Sequence, residues 1–471
     1  MKTVVIGLDC LEPTLVDRWL PDLPTFARLR AAGAWGRMKS CVPPITVPAW
    51  SCMMSSQDPG SLGIYGFRNR TDYSYSGLAF ATSDWVKADR VWNILSARGR
   101  KCSVIGVPGT FPVSEVNGQM VSCFLTPSLK SNWAYPPAFR EEIDGWLGGQ
   151  PYLFDVADFR SPDKGRIYED IGEMTRRRFT VGRETLRKYE PDFFMMVEMG
   201  SDRVHHAFWH YMDPEHRKWQ PGHPLANAIH DYYVQLDGEI ARMLEGINLA
   251  ETAVLIVSDH GAKRLNGGIC VNDWLVKEGY LALKRPPAAG TPLSKCDVDW
   301  PRTRAWGEGG YYARICLNVK GREPEGIVEP GDYEGLRLEL GYRLAQIPDD
   351  AGQELKTLAF KPQEIYRRVE GIPPDLIVIF GDLNWRAAGT LGHDSLYTFE
   401  NDTGPDEANH AQYGFFNWVA PGVAPAAEPM DIDILDVAPT ILSLLEQEIP
   451  GAMQGRSLPF AAGSGAASRG R

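Results

Sequence analysis

Residues 42–50 read Val-Pro-Pro-Ile-Thr-Val-Pro-Ala-Trp, a stretch in which prolines stand on both sides of one threonine, Thr46. Pro43 and Pro44 keep the approach extended, because the residue before a proline is pushed out of the α region. Pro48 suits the first turn of a helix, where the N–H that proline lacks has no helical partner anyway. We therefore expect Thr46 at or just before a helix N-terminus, where backbone N–H groups attract anions and stabilise an oxyanion. Taken alone, the stretch is more often an ordinary threonine N-cap.

The whole chain has the composition of a globular protein, with 471 residues of which 44% are apolar and 23% charged. The net charge of −11 argues against a nucleic-acid polymer or an anionic membrane surface as partner. A small anionic substrate stays open, because bound metal ions can reverse the local field. Residues 1–9 lack the pattern of a signal peptide, and no apolar run reaches the length of a membrane span. We expect a cytoplasmic protein whose oligomeric state the sequence leaves open.

Short apolar runs alternate along the chain with segments of helical periodicity. The pattern predicts buried strands at 3–8, 102–107, 191–199, 253–258, 374–380 and 414–420, and helices at 22–32, 90–98, 165–189, 224–246, 333–346 and 434–446. Such alternation is typical of an α/β fold with a mostly parallel central sheet and helices on both faces. We interpret residues 1–460 as one domain in which insertions at about 110–165 and 280–360 lie outside the sheet and form a cap. The low-complexity segment 461–471 is predicted to be a disordered tail.

Aspartates follow three of the predicted strands: Asp9, Asp202 and Asp259. In doubly wound folds, ligands bind beyond the carboxyl ends of the strands, so acidic residues at that edge are candidates for function. Each aspartate alone is more often a turn or helix-cap residue. The three together predict a site at one edge of the sheet.

Histidines accompany these aspartates. His206 follows Asp202 by four residues, which places both on one face of a helix, and His260 directly follows Asp259. His410 stands just before the last predicted strand. Carboxylates with imidazoles suit zinc, or manganese where oxygen ligands dominate, and a pair of such ions suits displacement at phosphorus. A threonine hydroxyl is a poor nucleophile until a base or metal lowers its pKa, and such ions beside Thr46 would do so.

The series of motifs resembles the alkaline phosphatase superfamily, in particular its type I phosphodiesterase/nucleotide pyrophosphatase branch and the related predicted phosphohydrolases and phosphomutases. The motifs are Asp9, Pro-Pro-Ile-Thr-Val-Pro-Ala-Trp at 43–50, Asp-Arg-Val-His-His at 202–206, Ser-Asp-His-Gly at 258–261 and Asn-His at 409–410. The resemblance spans most of the chain and implies that Thr46 is the nucleophile and forms a phospho-threonine intermediate. It also implies two divalent metal ions, Zn²⁺ or Mn²⁺, one held by Asp9, Thr46, Asp259 and His260 and the other by Asp202, His206 and His410.

Several residues compete for these roles. His205 neighbours His206 but lacks the four-residue spacing from Asp202, and we assign His210, one turn further on, to packing. His393 is a rival for His410, whose Asn-His-x-x-Tyr-Gly context matches the family. Cys41 invites comparison with sulfatases of the same superfamily, but the arginine of their Cys-x-Pro-x-Arg motif is missing. Leu62 stands where the family often has histidine, which concerns the substrate pocket rather than the chemistry.

We therefore expect a metal-dependent hydrolase of small phosphate esters, with nucleotides among the candidate substrates. A monoesterase would need extra positive charge, which Arg203 or Lys263 could supply, whereas a diesterase would need an apolar pocket, which the aromatic segment 111–165 could supply. A phosphomutase or phosphotransferase of the same superfamily is the main alternative. A sulfatase, a phosphonate hydrolase and a non-catalytic metal-binding protein are less favoured.

Overall fold

The predicted strand at 3–8 lies in the middle of a nine-stranded sheet in the computed structural model, which describes residues 1–459. The predicted tail at 461–471 lies outside the described residues. The helices are α1 (Pro13–Trp19), α2 (Pro24–Ala32), α3 (Thr46–Ser55), α4 (Pro59–Leu62), α5 (Val91–Ala97), α6 (Phe139–Trp146), α7 (Lys164–Tyr189), α8 (Gly200–Met212), α9 (Ala228–Leu244), α10 (Val271–Lys277), α11 (Tyr333–Ala345), α12 (Pro362–Ile365) and α13 (Val437–Leu444).

The strands are short, as is usual for a sheet of this kind. They are β1 (Lys2–Leu8), β2 (Ala34–Lys39), β3 (Arg68–Arg70), β4 (Leu78–Phe80), β5 (Cys102–Ile105), β6 (Gly118–Val121), β7 (Ala134–Tyr135), β8 (Phe193–Glu198), β9 (Thr252–Val257), β10 (Gly261–Arg264), β11 (Gly267–Cys270), β12 (Thr291–Pro292), β13 (Ala305–Glu308), β14 (Ala313–Leu317), β15 (Leu358–Phe360), β16 (Leu376–Ile379), β17 (Trp385–Ala388), β18 (Thr390–Leu391), β19 (Tyr397–Thr398), β20 (Ala408–Ala411), β21 (Tyr413–Val419) and β22 (Met430–Asp433).

The central sheet has the order β22-β2-β21-β9-β1-β8-β5-β6-β7. Its middle strands β9, β1, β8, β5 and β6 run parallel, and β21 and β7 are antiparallel to their neighbours. Strands β1, β8 and β9 are buried on both faces except at Lys2, the first residue of β1, which explains their continuous apolar runs. The α/β fold with a mostly parallel central sheet and helices on both faces is confirmed.

The register of the middle strands brings the predicted site together. Leu8 pairs with Glu198 on one side of β1, and Gly7 pairs with Val257 on the other. The carboxyl ends of β1, β8 and β9 therefore meet at one edge, and the residues after them enter the same space.

The segment 110–165 was expected to lie outside the sheet, and this is wrong for β6 and β7, which form its edge beyond β5. Strand β6 has only four residues, Gly-Gln-Met-Val, and its hydrogen bonds to β5 rather than its own apolar pattern hold it in place. The prediction failed because so short a segment carries no readable periodicity.

A second sheet, β13-β14-β16-β15, has a hydrophobic core of its own. Most of the predicted insertion 280–360 belongs to this sheet and its core, which we call the second unit. The second unit also includes β16 and the small sheet β17-β11-β19, whose strands lie before and after residues 280–360 in the chain. The strand predicted at 374–380 is real, and it pairs with β14 and β15 rather than with the central sheet. Among residues 1–459, helices of a length and apolarity that would cross a membrane are absent.

Candidate active site

Thr46 is the first residue of α3, and the extended residue Ile45 is its N-cap. The ordinary N-cap reading therefore does not apply to Thr46, whose side chain is buried with Oγ1 3.4 Å from Nε2 of His260. Pro48 lies in the first helical turn as expected. Amides at the start of a helix lack partners within the helix and carry its positive dipole end, so this place favours anionic oxygen.

Trp50 lies one turn after Thr46 and ties α3 to β1. Its Nε1 donates a 2.7 Å hydrogen bond to Oδ2 of Asp9, while Oδ1 of Asp9 is buried without a hydrogen-bond partner. The indole packs on Gly7, where an added Cβ would lie 2.5 Å from the Trp50 ring. Thr46 and Trp50 share a helix face, so one helix places the hydroxyl and orients the carboxylate.

The end of β9 contributes Asp259 and His260, both fully buried. Asp259 Oδ1 accepts a 3.2 Å hydrogen bond from the backbone N–H of Cys10, whereas Oδ2 has no hydrogen-bond partner. That free oxygen lies 3.2 Å from His260 Nε2, and Asp9 Oδ1 lies 3.9 Å from the same nitrogen. These atoms form one close group of possible metal ligands beside Thr46.

The start of α8 and strand β20 contribute the other half of the site. Asp202 Oδ1 lies 3.2 Å from Nε2 of His206 and 3.6 Å from Nε2 of His410. The His410 ring stacks on the His260 ring with centroids 3.7 Å apart, so the two halves adjoin. Asp202, His260 and His410 form the second close group. The seven predicted side chains therefore converge, although their division between two ions is a proposal.

The three histidines share one hydrogen-bonding pattern: Nδ1 of each faces an acceptor. His206 Nδ1 lies 2.6 Å from Oδ1 of Asp406, and the other two face carbonyl oxygens, of Gly261 at 3.1 Å for His260 and of Pro44 at 2.8 Å for His410. A carbonyl only accepts, so the ring proton belongs on Nδ1 and the lone pair on Nε2. This arrangement, with an outer acceptor fixing each imidazole, is characteristic of metal-binding histidines.

Asp406 is a site residue that the sequence analysis missed. It is buried and holds both His206 and Arg160, whose Nε and Nη2 donate to its Oδ2 at 3.2 and 3.0 Å. Burial acts to raise the pKa of Asp406, but the charges of His206 and Arg160 hold it below its usual range. The sequence signal for Asp406 is its position four residues before His410. This signal does not identify its partner His206, which lies 200 residues earlier in the chain.

The buried carboxylates repel one another. Burial, reinforced by the charge of Asp202, raises the pKa of Asp9 well above its ordinary value, and burial with the charge of Asp9 does the same for Asp259. Burial also lowers the pKa of His410, whose Nε2 is buried without a hydrogen-bond partner. Unpartnered acceptor atoms on Asp9, Asp259 and His410 in a carboxylate-rich site fit divalent cations with nitrogen and oxygen ligands.

The competing histidines lie elsewhere. His205 points away from the site, with Nε2 3.0 Å from the Tyr233 hydroxyl, and the His210 ring packs on Tyr211 with centroids 3.7 Å apart. His393 lies in the second unit with Cys270 and Asp273. The rivals considered for His206 and His410 are thus not part of this constellation.

The two cations considered for a monoesterase are already paired. Arg203 forms a bidentate salt bridge with Asp155, through Nε and Nη2 at 2.7 Å each, and its Nη1 contacts Asp202. Lys263 Nζ contacts Asp382 Oδ2 at 2.8 Å on the exposed side of β10. Neither leaves an unpaired positive charge for the substrate.

A family model described as type I phosphodiesterase/nucleotide pyrophosphatase matches residues 3–406. No curated protein sequence matches the chain. Among solved structures, phosphonoacetate hydrolase from Sinorhizobium meliloti 1021 in complex with phosphonoformate superposes with a TM-score of 0.60 at 17% identity, covering 93% of this chain and 94% of that one. Human ectonucleotide pyrophosphatase/phosphodiesterase 5 superposes with a TM-score of 0.57 at 13% identity, covering 96% of both chains. Its murine counterpart, as an inactive variant in complex with AMP, gives 0.56 at 14% identity with the same coverage.

Proposed function

The chain belongs to the type I phosphodiesterase/nucleotide pyrophosphatase family and is a phosphoric-ester hydrolase; from this premise we propose that it cleaves monoanionic phosphoric esters with Thr46 as nucleophile and two divalent metal ions. The observation that carries this proposal is that His260 Nε2 lies beside Thr46 Oγ1 and is faced by unpartnered carboxylate oxygens of Asp9 and Asp259. His260 Nε2 lies 3.4 Å from that oxygen, and Oδ1 of Asp9 and Oδ2 of Asp259 face the same nitrogen.

Two ligand sets are proposed. Asp9, Thr46, Asp259 and His260 would hold one ion, and Asp202, His206 and His410 the other, with Zn²⁺ favoured by the three imidazoles and Mn²⁺ as the alternative. When bound, such ions supply the positive charge that lowers the pKa of a hydroxyl or a water and offsets charge on attacking and leaving oxygens.

The residues of the chain perform the remaining work. The Thr46 hydroxyl gives up its proton as Oγ1 attacks phosphorus and the Oγ1–P bond forms. The ester P–O bond breaks, and the leaving oxygen departs with the bonding electron pair and takes up a proton. Water then attacks the phospho-threonine, the Oγ–P bond breaks, and the product leaves with Thr46 restored. The N-terminus of α3 faces the phosphoryl oxygens with the positive end of its dipole, and Trp50 holds Asp9 in one orientation throughout.

Charge balance favours a diester or a pyrophosphate link over a monoester. While the Thr46 hydroxyl is still protonated, two divalent ions would exceed the three carboxylates Asp9, Asp202 and Asp259 by a single positive charge, since imidazole ligands are neutral. Arg203 and Lys263 are paired with carboxylates and add no surplus. A monoanionic phosphoryl group matches this balance better than a dianionic one. The AMP complex of the murine structural neighbour supports nucleotides as candidate substrates.

The substrate prediction is tested with bis-p-nitrophenyl phosphate and p-nitrophenyl phosphate in the presence of Zn²⁺ or Mn²⁺. We expect the diester to have a kcat/KM at least about 10-fold higher, a difference of about 1.4 kcal/mol in the free energy of activation. Faster hydrolysis of the monoester would contradict the charge argument. Phosphoryl transfer to an added alcohol or sugar in preference to water would indicate the phosphomutase or phosphotransferase alternative.

The nucleophile is tested with Thr46→Ala, which should reduce kcat by at least about 1,000-fold, because the covalent intermediate forms on the hydroxyl that this variant lacks. The metal content of this variant, measured by elemental analysis, should remain close to that of the wild-type protein. Ser51→Ala is the matched control: Ser51 lies on the same helix and donates 2.7 Å to the carbonyl of Val47, away from the site. Full activity in Thr46→Ala, or equal losses in both variants, would overturn this assignment.

A further inference from the structure

We propose that the hydroxyl of Tyr311 donates a hydrogen bond to a non-bridging oxygen of the phosphoryl group, and that Arg160 positions this hydroxyl. The inference rests on the proposed function, and it adds to the site a catalytic residue from the second unit.

The hairpin between β13 and β14 brings Tyr311 to the metal ligands. Gly309 and Gly310 precede it, and the backbone of Gly310 pairs with that of Ala387 through hydrogen bonds of 2.8 and 3.0 Å. Gly310 has a φ of +147°, and a Cβ on Gly309 would lie 2.2 Å from the backbone nitrogen of Gly389. A side chain at Gly309 would therefore clash with Gly389, and one at Gly310 would strain the backbone, so the hairpin tip is fixed against the neighbouring strand.

Tyr311 covers the half of the site built from His206 and His410. Its ring centroid lies 4.2 Å from that of His410 and 5.3 Å from that of His206, and its Oη lies 3.5 Å from His206 Nε2. Its carbonyl accepts a 3.2 Å hydrogen bond from Nδ2 of Asn409, the residue before His410. The asparagine of the Asn-His motif thus ties the hairpin tip to the strand that carries a predicted ligand.

The hydrogen-bond partners of Oη determine where its own proton points. Arg160 Nη2 donates to Oη at 3.1 Å, and guanidinium groups have no acceptor, so this contact occupies a lone pair of the phenol. Among residues 1–459, the other polar contact of Oη is His206 Nε2, at a distance where hydrogen bonds are weak. That nitrogen is a proposed metal ligand and would then accept nothing. The O–H is therefore left to an acceptor that the chain does not provide.

A phosphoryl oxygen is the acceptor that suits this donor. A phenol is neutral, so it stabilises anionic oxygen without adding to the single surplus charge that favours a monoanionic substrate. A fixed donor in a water-excluded site is worth more than in water, since it needs no reorganisation during the reaction. Asp406 strengthens the arrangement, because it fixes Arg160 and His206 at the same time.

The test compares Tyr311→Phe with Tyr312→Phe in the metal-saturated protein. Tyr312 is the neighbouring residue, and its hydroxyl donates to the carbonyl of Tyr65, away from the site. We expect Tyr311→Phe to lower kcat on bis-p-nitrophenyl phosphate by about 10- to 100-fold with little change in Tm, the range for losing a hydrogen bond to a charged group. Tyr312→Phe should lower Tm and leave kcat within about twofold.

Arg160 is tested as a positioning residue by a double-mutant cycle. In the metal-saturated protein, where weaker metal binding through Asp406 and His206 does not affect the rate, Arg160→Met should lower kcat in the wild-type background. In the Tyr311→Phe background it should change kcat by no more than about twofold, because the remaining effect passes through the phenol. Independent, multiplicative losses would show that Arg160 does not act through Tyr311.

Binding of orthovanadate to the metal-loaded protein, measured by calorimetry, provides a readout that does not need turnover. Tyr311→Phe should weaken it by about the same 10- to 100-fold factor. If the wild-type protein binds vanadate and cleaves the diester while Tyr311→Phe equals it in both, the role of Tyr311 is overturned and the proposed function stands. If the wild-type protein does neither, the proposed function and this inference fail together.

Discussion

Asp406 is the residue that fixes the orientation of His206. Replacement by asparagine would remove the charge that faces Nδ1 and would allow the amide to turn its N–H₂ toward the ring. We expect Asp406→Asn to weaken metal binding by about 10- to 100-fold, the usual effect of losing such an outer partner. Competition with a chelator of known affinity measures this directly.

Glu407→Gln is the matched control for that measurement. Glu407 is the next residue and is also buried, but it faces Lys218 at 3.5 Å and His216 at 3.6 Å instead of a proposed ligand. Equal metal affinities in the Asp406→Asn and wild-type proteins, or equal losses in both variants, would show that Asp406 does not support the metal site.

The residues of the site differ in how far the sequence reveals them. Asp9, Asp202 and Asp259 were predicted because each follows an apolar strand, and the neighbouring histidines because short spacing relates them to those aspartates. Tyr311 and Arg160 were not predicted, because their contacts join residues that lie 98 to 246 positions from their partners in the site. No local pattern encodes such a contact; only the fold creates it.

At the scale of elements, the packing of α3 on β1 depends on Gly7. A Cβ at this position would lie 2.5 Å from the Trp50 ring and 2.8 Å from Val197 Cγ2, and both neighbours are fully buried. We expect Gly7→Ala to displace the indole, lengthen its hydrogen bond to Asp9 and destabilise the fold by about 1–3 kcal/mol, as for other overpacked cores. Urea denaturation and kcat on the diester should both show the loss.

Gly335→Ala provides the control for this prediction. Gly335 lies in α11, and an added Cβ there meets nothing within 4 Å. This substitution should stabilise the protein by up to about 1 kcal/mol, because alanine has the higher helix propensity. If Gly7→Ala also failed to lower the free energy of unfolding and kcat, the close contacts of Gly7 with Trp50 and Val197 would not restrict the packing of α3 on β1.

Elements were predictable in proportion to their length and regularity. The long helix α7 and the fully buried strands β1, β8 and β9 were found nearly to their bounds. Strand β2, which reads Ala-Trp-Gly-Arg-Met-Lys, was missed, since a glycine and two cations obscure its alternation. Its position comes from pairing with β21 and β22, nearly 400 residues later.

At the scale of the whole molecule, residues 1–459 build two large hydrophobic cores and a smaller third one, which includes Ile45 next to Thr46 and Tyr312 next to Tyr311 and so lies where the two large cores meet at the site. Strand β16 shows why the sequence could not reveal this division. Its apolar run predicts a buried strand, but local hydrophobicity does not indicate which sheet buries it. The consequence is functional: the second unit contributes Tyr311, so the site is complete only when both units are folded together.

The site concentrates charge that the fold without metal ions tolerates poorly. Burial and mutual repulsion raise the pKa of Asp9 and Asp259 above the ordinary value of 3.8, and burial acts to lower the pKa of His206 but Asp406 raises it above 6.5. The folded protein without metal therefore holds protons that the unfolded chain has released, and its stability falls as the pH rises above 6.5. Metal binding requires the same groups without protons, so stabilisation by metal grows with pH.

We therefore expect the difference in Tm between metal-loaded and chelator-treated protein to widen between about pH 6.5 and about pH 8.5. Asp259→Asn should reduce this difference in Tm in two ways. It removes a buried charge, so the free energy of unfolding of the metal-free protein should increase by about 0.5–2 kcal/mol, as in other stabilised active-site variants. It also removes a proposed ligand, so the increase in Tm on metal binding should be smaller. Asp431→Asn, which alters an exposed ion pair with Arg37, is the control and should change neither quantity by more than about 0.5 kcal/mol. A pH-independent difference, or identical behaviour of the two variants, would mean that the three carboxylates are not held together by bound cations.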